Sequence, residues 1–217
     1  VEAQQKKRMS TFLGDFENLN KKYIPGLYKA PSNLDPIFKE FLSDTKSVFL
    51  IICEQSVCKT NAMCKKKKKY LENQIAFFYA GHLISENVHD LIKDDCNWFF
   101  SPQLTKIEVV KRLAGLASSD RKLIIFIDAV DEVTIHDFSQ QLNELVLNFK
   151  DFTNVKIVIS SKTNTTGRFL EIGGESSDIS HQLFESAGKQ FGPDKKNEFS
   201  YKVELFSGSG FNGIYAL

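Results

Sequence analysis

The sequence has few of the residues that would place it in a specialised class of protein. It has 4 cysteines in 217 residues. They all lie between Cys53 and Cys96, so a disulfide framework is excluded and a reduced, cytoplasmic chain is expected. Its 12 glycines and 5 prolines exclude a collagen-like chain. Apolar runs such as Val48–Ile52 are far too short to span a membrane, and no secretory signal follows Val1.

The sequence also has no large excess of charge of one sign. Lysine and arginine number 28 against 27 aspartate and glutamate, a net charge of +1. This balance gives no electrostatic footprint for nucleic acid as a main partner. Because 42% of the residues are hydrophobic, a wholly disordered chain is excluded, and the length fits one large domain or two small ones. Arginine is scarce: the only ones are Arg8, Arg112, Arg121 and Arg168.

Apolar runs alternate with helical patterns along the chain. Short runs that are apolar on both faces are typical of buried parallel strands, and helices between them favour an α/β fold with helices on both faces of a parallel sheet. The predicted strands are Val48–Ile52, Ile75–Ala80, Leu123–Ile127, Val155–Ile159 and, near the end, Phe199–Phe206. The predicted helices are Asn33–Asp44, Ala62–Leu71, Ile84–Ile92, Ile107–Leu116 and Phe138–Phe149, with a short one around His181–Ala187.

The first strand leads into a candidate phosphate-binding loop. The spacing from Cys53 to Lys59 and Thr60 matches the pattern Gly, four residues, Gly-Lys-Ser/Thr, but Cys53 and Cys58 stand at both glycine positions. Lys59 would neutralise the β and γ phosphates, and the Thr60 hydroxyl would ligate Mg²⁺. An ordinary strand-to-helix turn is the alternative. The candidate cofactor-binding residues here are Cys53, Glu54, Gln55, Ser56, Val57, Cys58, Lys59 and Thr60.

A second motif follows the third strand. An apolar strand that ends in an acid is the Walker B pattern, and Asp128 at its tip could hold Mg²⁺ through water. Asp131 and Glu132 are predicted to be catalytic, since a carboxylate on this turn can orient or deprotonate the attacking water. The alternative is a helix N-terminal turn, where acids are favoured in any case.

The fourth strand ends in Ser160, Ser161 and Lys162. Ligands bind at the carboxyl ends of parallel strands, so this polar cluster, and Lys162 above all, could sense a γ-phosphate. A simple loop beginning is the alternative.

Together these motifs resemble the STAND class of P-loop NTPases, which includes NACHT and NB-ARC ATPases. The resemblance rests on Lys59-Thr60, on Asp128 to Glu132 and on the Ser-Ser-Lys strand end. It implies an ATP- and Mg²⁺-dependent switch that forms homo-oligomers, with effector and sensor domains elsewhere in a longer chain and a role in defence or immunity. The segment Tyr23–Tyr28 resembles the lead-in that holds adenine, which implies a binding role for Tyr23.

The chain departs from that family in three places. Cys53 and Cys58 replace glycines that allow positive φ, and Lys162 replaces an arginine and loses its bidentate fork. Five consecutive lysines, Lys65 to Lys69, follow the loop, although the inward face, expected at Lys66 and Lys69, should be apolar. A degenerate nucleotide site, a deliberately altered loop and an uncertain sequence all remain open.

The sequence thus predicts a P-loop NTPase domain over 23–206. It predicts a linker or the end of an upstream domain over 1–22 and the start of a truncated lid or winged-helix region over 207–217. Hydrolysis should be slow, because no arginine is well placed and the loop glycines are missing. The alternatives are a pseudo-NTPase scaffold that binds no nucleotide and an AAA+-type ATPase, for which Arg112, Arg121 and Arg168 are the candidate arginine fingers.

Overall fold

Strands and helices alternate along the chain, as the hydrophobic pattern predicts. The computed structural model describes residues 5, 7, 10, 34–52, 56–70, 73–98, 104–183 and 203–204. The strands are β1 (Val48–Ile52), β2 (Ile75–Ala80), β3 (Leu123–Asp128), β4 (Val155–Ser161), β5 (Glu171–Ile172), β6 (Glu175–Ser176) and β7 (Val203–Glu204). The helices are α1 (Leu34–Ser43), α2 (Ser56–Tyr70), α3 (Val88–Asp95), α4 (Lys106–Ala114), α5 (Phe138–Phe149), α6 (Gly167–Leu170) and α7 (Asp178–His181).

Five of the described strands form one parallel sheet in the order β2-β3-β4-β1-β7. β4 therefore lies between β1 and β3, the two strands that precede the candidate functional motifs. Ile51 of β1 lies opposite Ser160 of β4, and Ile127 of β3 lies opposite Ile159. Because all these strands run the same way, the residues that follow β1, β3 and β4 meet at one edge of the sheet.

Alternate residues of each strand face opposite sides of the sheet, and each side has its own helices. In β1, Leu50 belongs to the core that includes α3, α4 and α5, whereas Phe49 and Ile51 belong to the core that includes α1 and α2. A strand buried on both faces needs apolar residues at every position, which explains the continuous apolar runs. The predicted fold class, a parallel sheet with helices on both faces, is confirmed.

The element boundaries differ from the predicted ones in several places. α2 begins at Ser56 rather than Ala62, and β3 includes Asp128. The short helix expected around His181–Ala187 lies earlier, at Asp178–His181, because the Ser177 side chain accepts a hydrogen bond from Ser180 N and caps it there.

Some predicted elements lie in parts of the chain where few residues are described. Of the predicted strand Phe199–Phe206, only the Val203–Glu204 segment is described, and it pairs with β1. The three predicted domain boundaries stay predictions. Within the described residues, no helix has the length and apolar character needed to cross a membrane.

The lysine run of α2 is buried in part, with polar partners. Lys66 and Lys67 are 1% and 0% exposed, whereas Lys69 is 42% exposed, so the prediction that Lys69 faces inward is wrong. Lys66 and Lys69 both form ion pairs with Asp35 of α1, and Lys67 donates hydrogen bonds to Gln5. Burial raises the pKa of Asp35, but the hydrogen bonds from Lys66 and Lys69 outweigh it and lower that pKa to about 2. On this inner face the Lys66 charge is therefore paired with a carboxylate, and the Lys67 ammonium group is hydrogen-bonded to Gln5.

A buried histidine on α3 makes stability depend on pH. His89 is 1% exposed, and its Nδ1 lies 2.9 Å from Asn87 Oδ1. Burial lowers the pKa of His89 to about 4, below its ordinary value of 6.5. As the pH falls through this window, the unfolded chain binds a proton that the folded chain does not, so the free energy of unfolding decreases.

We expect His89→Gln to flatten the slope of unfolding free energy against pH between pH 7 and pH 5, as measured by urea titration. His136→Gln is the matched control, because the His136 side chain is 93% exposed. The slope is compared rather than the stability itself, since any substitution of a buried residue changes the latter. An unchanged slope in His89→Gln would contradict this assignment.

Candidate functional site

The carboxylate of Asp128 joins three elements at the carboxyl edge of the sheet. Thr60 Oγ1 of α2 donates a 2.6 Å hydrogen bond to Asp128 Oδ2, and Ser160 Oγ of β4 donates a 2.6 Å bond to Asp128 Oδ1. Asp128 is 2% exposed and Thr60 is 4% exposed. The structure thus brings together the two residues that the sequence analysis names as Mg²⁺ ligands. Ser160 reaches Asp128 because β4 is the neighbour of β3 in the sheet.

The chain turns sharply after Asp128. Ala129 has φ 53° and ψ 55°, a left-handed conformation that is uncommon for a residue with a side chain. Its N–H donates a 2.8 Å hydrogen bond to Ser160 Oγ, so this hydroxyl holds both the carboxylate and the turn that follows it. Gly81, just after β2, packs against the same turn: a Cβ on Gly81 would lie 2.0 Å from the Ala129 carbonyl oxygen.

Two further carboxylates, Asp131 and Glu132, lie on this turn, and their environments differ. The Asp131 side chain is 1% exposed, and its Oδ2 lies 3.0 Å from Lys162 Nζ while its Oδ1 accepts a 3.1 Å hydrogen bond from Lys162 N. The Glu132 side chain is 27% exposed, and its Oε2 lies 3.7 Å from Nδ1 of His82. Asp131 is therefore held at the end of β4, whereas Glu132 is partly exposed beside His82.

Local charge changes the acidity of two groups at the site. The hydrogen bond to Asp131, with the attraction between the two charges, raises the pKa of Lys162, which keeps this side chain cationic. Cys64 lies one turn beyond Thr60 on α2 and is fully buried. Burial and the nearby Asp128 carboxylate raise the pKa of the Cys64 thiol well above its ordinary range. Cys64 is therefore an unreactive packing residue.

The predicted phosphate loop differs in its backbone from the family pattern. α2 begins at Ser56, so the segment from Ser56 to Thr60 is helical rather than an open loop. The physical reason is the lack of glycine at position 58, since a cysteine there favours right-handed helical backbone over positive φ. Cys53, Glu54, Gln55 and Tyr23 lie outside the described residues, and the side chains of Ser56, Val57, Cys58 and Lys59 do too.

The donor set of the cluster fits a magnesium ion. Mg²⁺ prefers oxygen ligands and is commonly bound by one or two carboxylates with water and phosphate oxygens. Thr60 and Asp128 supply a hydroxyl and a carboxylate on adjacent elements, and α2 directs its N-terminus toward the same edge, where free N–H groups and the helix dipole favour anions. Among the described residues, this site included, no group of three or more His, Cys, Asp or Glu side chains could hold a metal, so a magnesium ion here would take one carboxylate, one hydroxyl and oxygens from water and phosphate.

Two contacts near the site were not predicted from the sequence. His82 lies beside Glu132, and Gly81 lies close to Ala129. Gly81 and His82 directly follow β2. Residues at the carboxyl ends of neighbouring parallel strands lie close together, so their place after a strand could have indicated these contacts. Arg168, a candidate arginine finger, lines a cavity of about 380 Å³ together with Asp131.

No protein-family model and no curated protein matches this sequence. Among solved structures, Cdc6p from Pyrobaculum aerophilum is 15% identical over 69% of this chain and 42% of its own, with a TM-score of 0.47. A chain of Drosophila ORC bound to DNA is 12% identical over 65% of this chain and 86% of its own, with a TM-score of 0.43. The cytoplasmic domain of the Thermomonospora curvata type VII secretion ATPase EccC is 15% identical over 59% of this chain and 18% of its own, with a TM-score of 0.38. The similar segment thus spans less than half of Cdc6p and less than a fifth of EccC, so the function of this chain has to be argued from its own residues.

The contact between Gly81 and Ala129 predicts a steric effect on the site. We expect Gly81→Ala to lower the free energy of unfolding by about 1–3 kcal/mol or more, because the added methyl group must displace the turn after Asp128. Gly167→Ala is the matched control, since a Cβ on Gly167 meets no atom within 4 Å. Urea titrations of both variants measure the difference, and equal stability would show that the two turns do not pack as described.

Proposed function

We propose that this chain is a P-loop-type domain that binds ATP with Mg²⁺ and acts as a slowly hydrolysing switch. The observation that carries the proposal is the 2.6 Å contact between Thr60 Oγ1 and Asp128 Oδ2, which joins the residue after the candidate phosphate loop to the acid at the end of β3. A metal–phosphate site would explain a buried carboxylate beside a hydroxyl at this place, because both oxygens could serve as ligands of one Mg²⁺ ion.

Each part of the nucleotide has a candidate partner. The N-terminus of α2 and Lys59 would receive the phosphates, and Thr60 with Asp128 would hold Mg²⁺. The bound ion would neutralise developing charge on the phosphates. Asp131 and Glu132 keep their proposed catalytic roles, and Glu132, which is partly exposed, is the better placed to meet a water molecule.

Lys162 is suited to report the state of the site. Its Nζ lies 3.0 Å from Asp131 Oδ2, at the end of the strand next to β3. A γ-phosphate nearby would compete with Asp131 for this ammonium group, since both are anionic acceptors. Exchange of Lys162 between the two would then link nucleotide state to the segment that follows β4.

The proposed protein class and its role in signalling rest on the resemblance of the sequence motifs. In the proposed function the chain is a STAND-class domain of the NACHT or NB-ARC kind, which couples ATP binding to homo-oligomerisation in defence signalling. Effector and sensor domains would lie in further parts of a longer protein. A pseudo-NTPase scaffold is the second candidate, and the helical backbone from Ser56 to Thr60 favours it, because it shortens the loop that wraps phosphates.

Nucleotide binding is tested by thermal unfolding with Mg·ATP. Ligand at about 100 times its dissociation constant adds about 2.7 kcal/mol to the free energy of unfolding, which raises the melting temperature. We expect Lys59→Ala to abolish the rise and Lys111→Ala, an exposed lysine of α4, to retain it. No rise with any nucleotide at millimolar concentration would reject the switch in favour of the scaffold.

Turnover should separate from binding by residue. We expect Glu132→Gln and Asp131→Asn to leave the Mg·ATP-dependent rise in melting temperature largely intact while suppressing phosphate release, because these carboxylates would act on water rather than on bound phosphates. Glu175→Gln, which changes an exposed acid of β6, is the control. Unchanged phosphate release in a variant that carries both substitutions would remove these two residues from the catalytic assignment.

A further inference from the structure

A single buried side chain near the N-terminus makes contacts with three elements of the core. Gln5 is 0% exposed and helical. Its Oε1 accepts a 2.7 Å hydrogen bond from Phe78 N of β2, and a 3.2 Å bond from Lys67 Nζ of α2. Its Nε2 donates a 2.7 Å bond to Asp95 Oδ2 of α3. The Gln5 amide thus uses both its acceptor and its donor inside the fold.

The first of these contacts closes an edge of the sheet. Of the described strands, β2 is the outermost on its side and pairs only with β3. On its other side no described strand is available to the N–H groups, and the Phe78 N–H finds Gln5 instead. Native proteins commonly cover such edges, because an open edge pairs with other chains.

The other contacts join two buried charges of opposite sign. Lys67 is 0% exposed and Asp95 is 1% exposed. Lys67 Nζ also donates to the Gln5 backbone oxygen at 3.2 Å, and Asp95 Oδ2 also accepts a 2.9 Å bond from the Tyr79 hydroxyl. A carboxamide at position 5 can accept from the ammonium group and donate to the carboxylate at once. Loss of these bonds would leave buried charges with fewer partners, which is costly.

The socket formed by Phe78, Lys67 and Asp95 is connected to the candidate site through α2. Thr60, Cys64 and Lys67 are spaced four and three residues apart, so they lie along one stripe of the helix. Thr60 at one end of the stripe bonds to Asp128, and Lys67 at the other end bonds to Gln5. A rigid helix carries a displacement at one end to the other.

We propose that Gln5 is a clasp: seated among Phe78, Lys67 and Asp95, it holds α2 in the position that forms the Thr60–Asp128 contact. Withdrawal of Gln5 loosens α2 and uncovers the edge of β2. The clasp is independent of whether a nucleotide binds there.

The test uses the whole chain without nucleotide and substitutes Gln5. Gln5→Glu places a second carboxylate against Asp95, and the milder Gln5→Met removes the hydrogen bonds at similar size. Hydrogen exchange measures the opening of the Phe78 amide, and alkylation by iodoacetamide with mass spectrometry measures the exposure of Cys64, which is buried on α2. We expect both rates to rise about tenfold or more, which corresponds to about 1.4 kcal/mol.

A compensating change makes the test specific to the socket. Asp95→Asn in the Gln5→Glu background supplies an amide that donates to the new carboxylate, so both rates should return toward those of the unaltered chain. Gln140→Glu, at an exposed position of α5, is the control and should change neither rate. Unchanged rates in both Gln5 variants, a rise matched by the amides of α5, or a failure of Asp95→Asn to restore the rates would each overturn the clasp.

Discussion

The buried carboxylate of Asp128 sets the constraint on which the rest of the site depends. A charge that is 2% exposed has to be hydrogen-bonded, and here both of its oxygens accept hydroxyl groups from other elements. These bonds fix the start of α2 and the end of β4 relative to β3. The left-handed turn at Ala129 is held by the same Ser160 hydroxyl, so the strain of that turn is offset by the network around the carboxylate. The positions of Asp131 and Glu132 follow from that turn.

The second set of buried charges lies on α2, where lysines are removed from water. Two lysines of this helix lie inside the fold, and each has its partner on an element distant in sequence: Asp35 for Lys66 and Gln5 for Lys67. Buried charges of this kind add little net stability when paired, but they discriminate strongly against any arrangement that leaves them unpaired. The helix is therefore specified by its polar contacts as much as by its apolar ones.

Sequence patterns predicted the features that depend on neighbouring residues. The strands followed from apolar runs such as Leu123–Ile127, and the order of strand, turn and helix pointed to Thr60 and Asp128 as candidate Mg²⁺ ligands, although not to the hydrogen bond between them. The bridging role of Ser160 did not follow, because it requires β4 to lie between β1 and β3, and strand order is set by long-range packing. Lys66 was expected on the inward face, but the burial of Lys67 and the polar partners of both lysines were not predicted, since these partners come from segments more than thirty residues upstream. The early start of α2 was not predicted, because the phosphate-loop pattern assumes glycines that keep the backbone open, and this chain has Cys53 and Cys58 at those positions.

The cysteines at both glycine positions of the loop pattern, Cys53 and Cys58, bear on how a nucleotide would bind in the proposed function. In a glycine-containing loop the backbone wraps around the phosphates, and binding is shared among many N–H groups. With α2 helical from Ser56, recognition would rest instead on the first turn of the helix, on Lys59 and on the metal held by Thr60 and Asp128. Fewer contacts to the phosphates mean weaker binding, while the Asp128 network persists without any ligand. A domain built in this way would keep its fold in both nucleotide states and differ between them chiefly in the contacts of Lys162 and of the partly exposed Glu132. That difference suits a switch better than a fast enzyme.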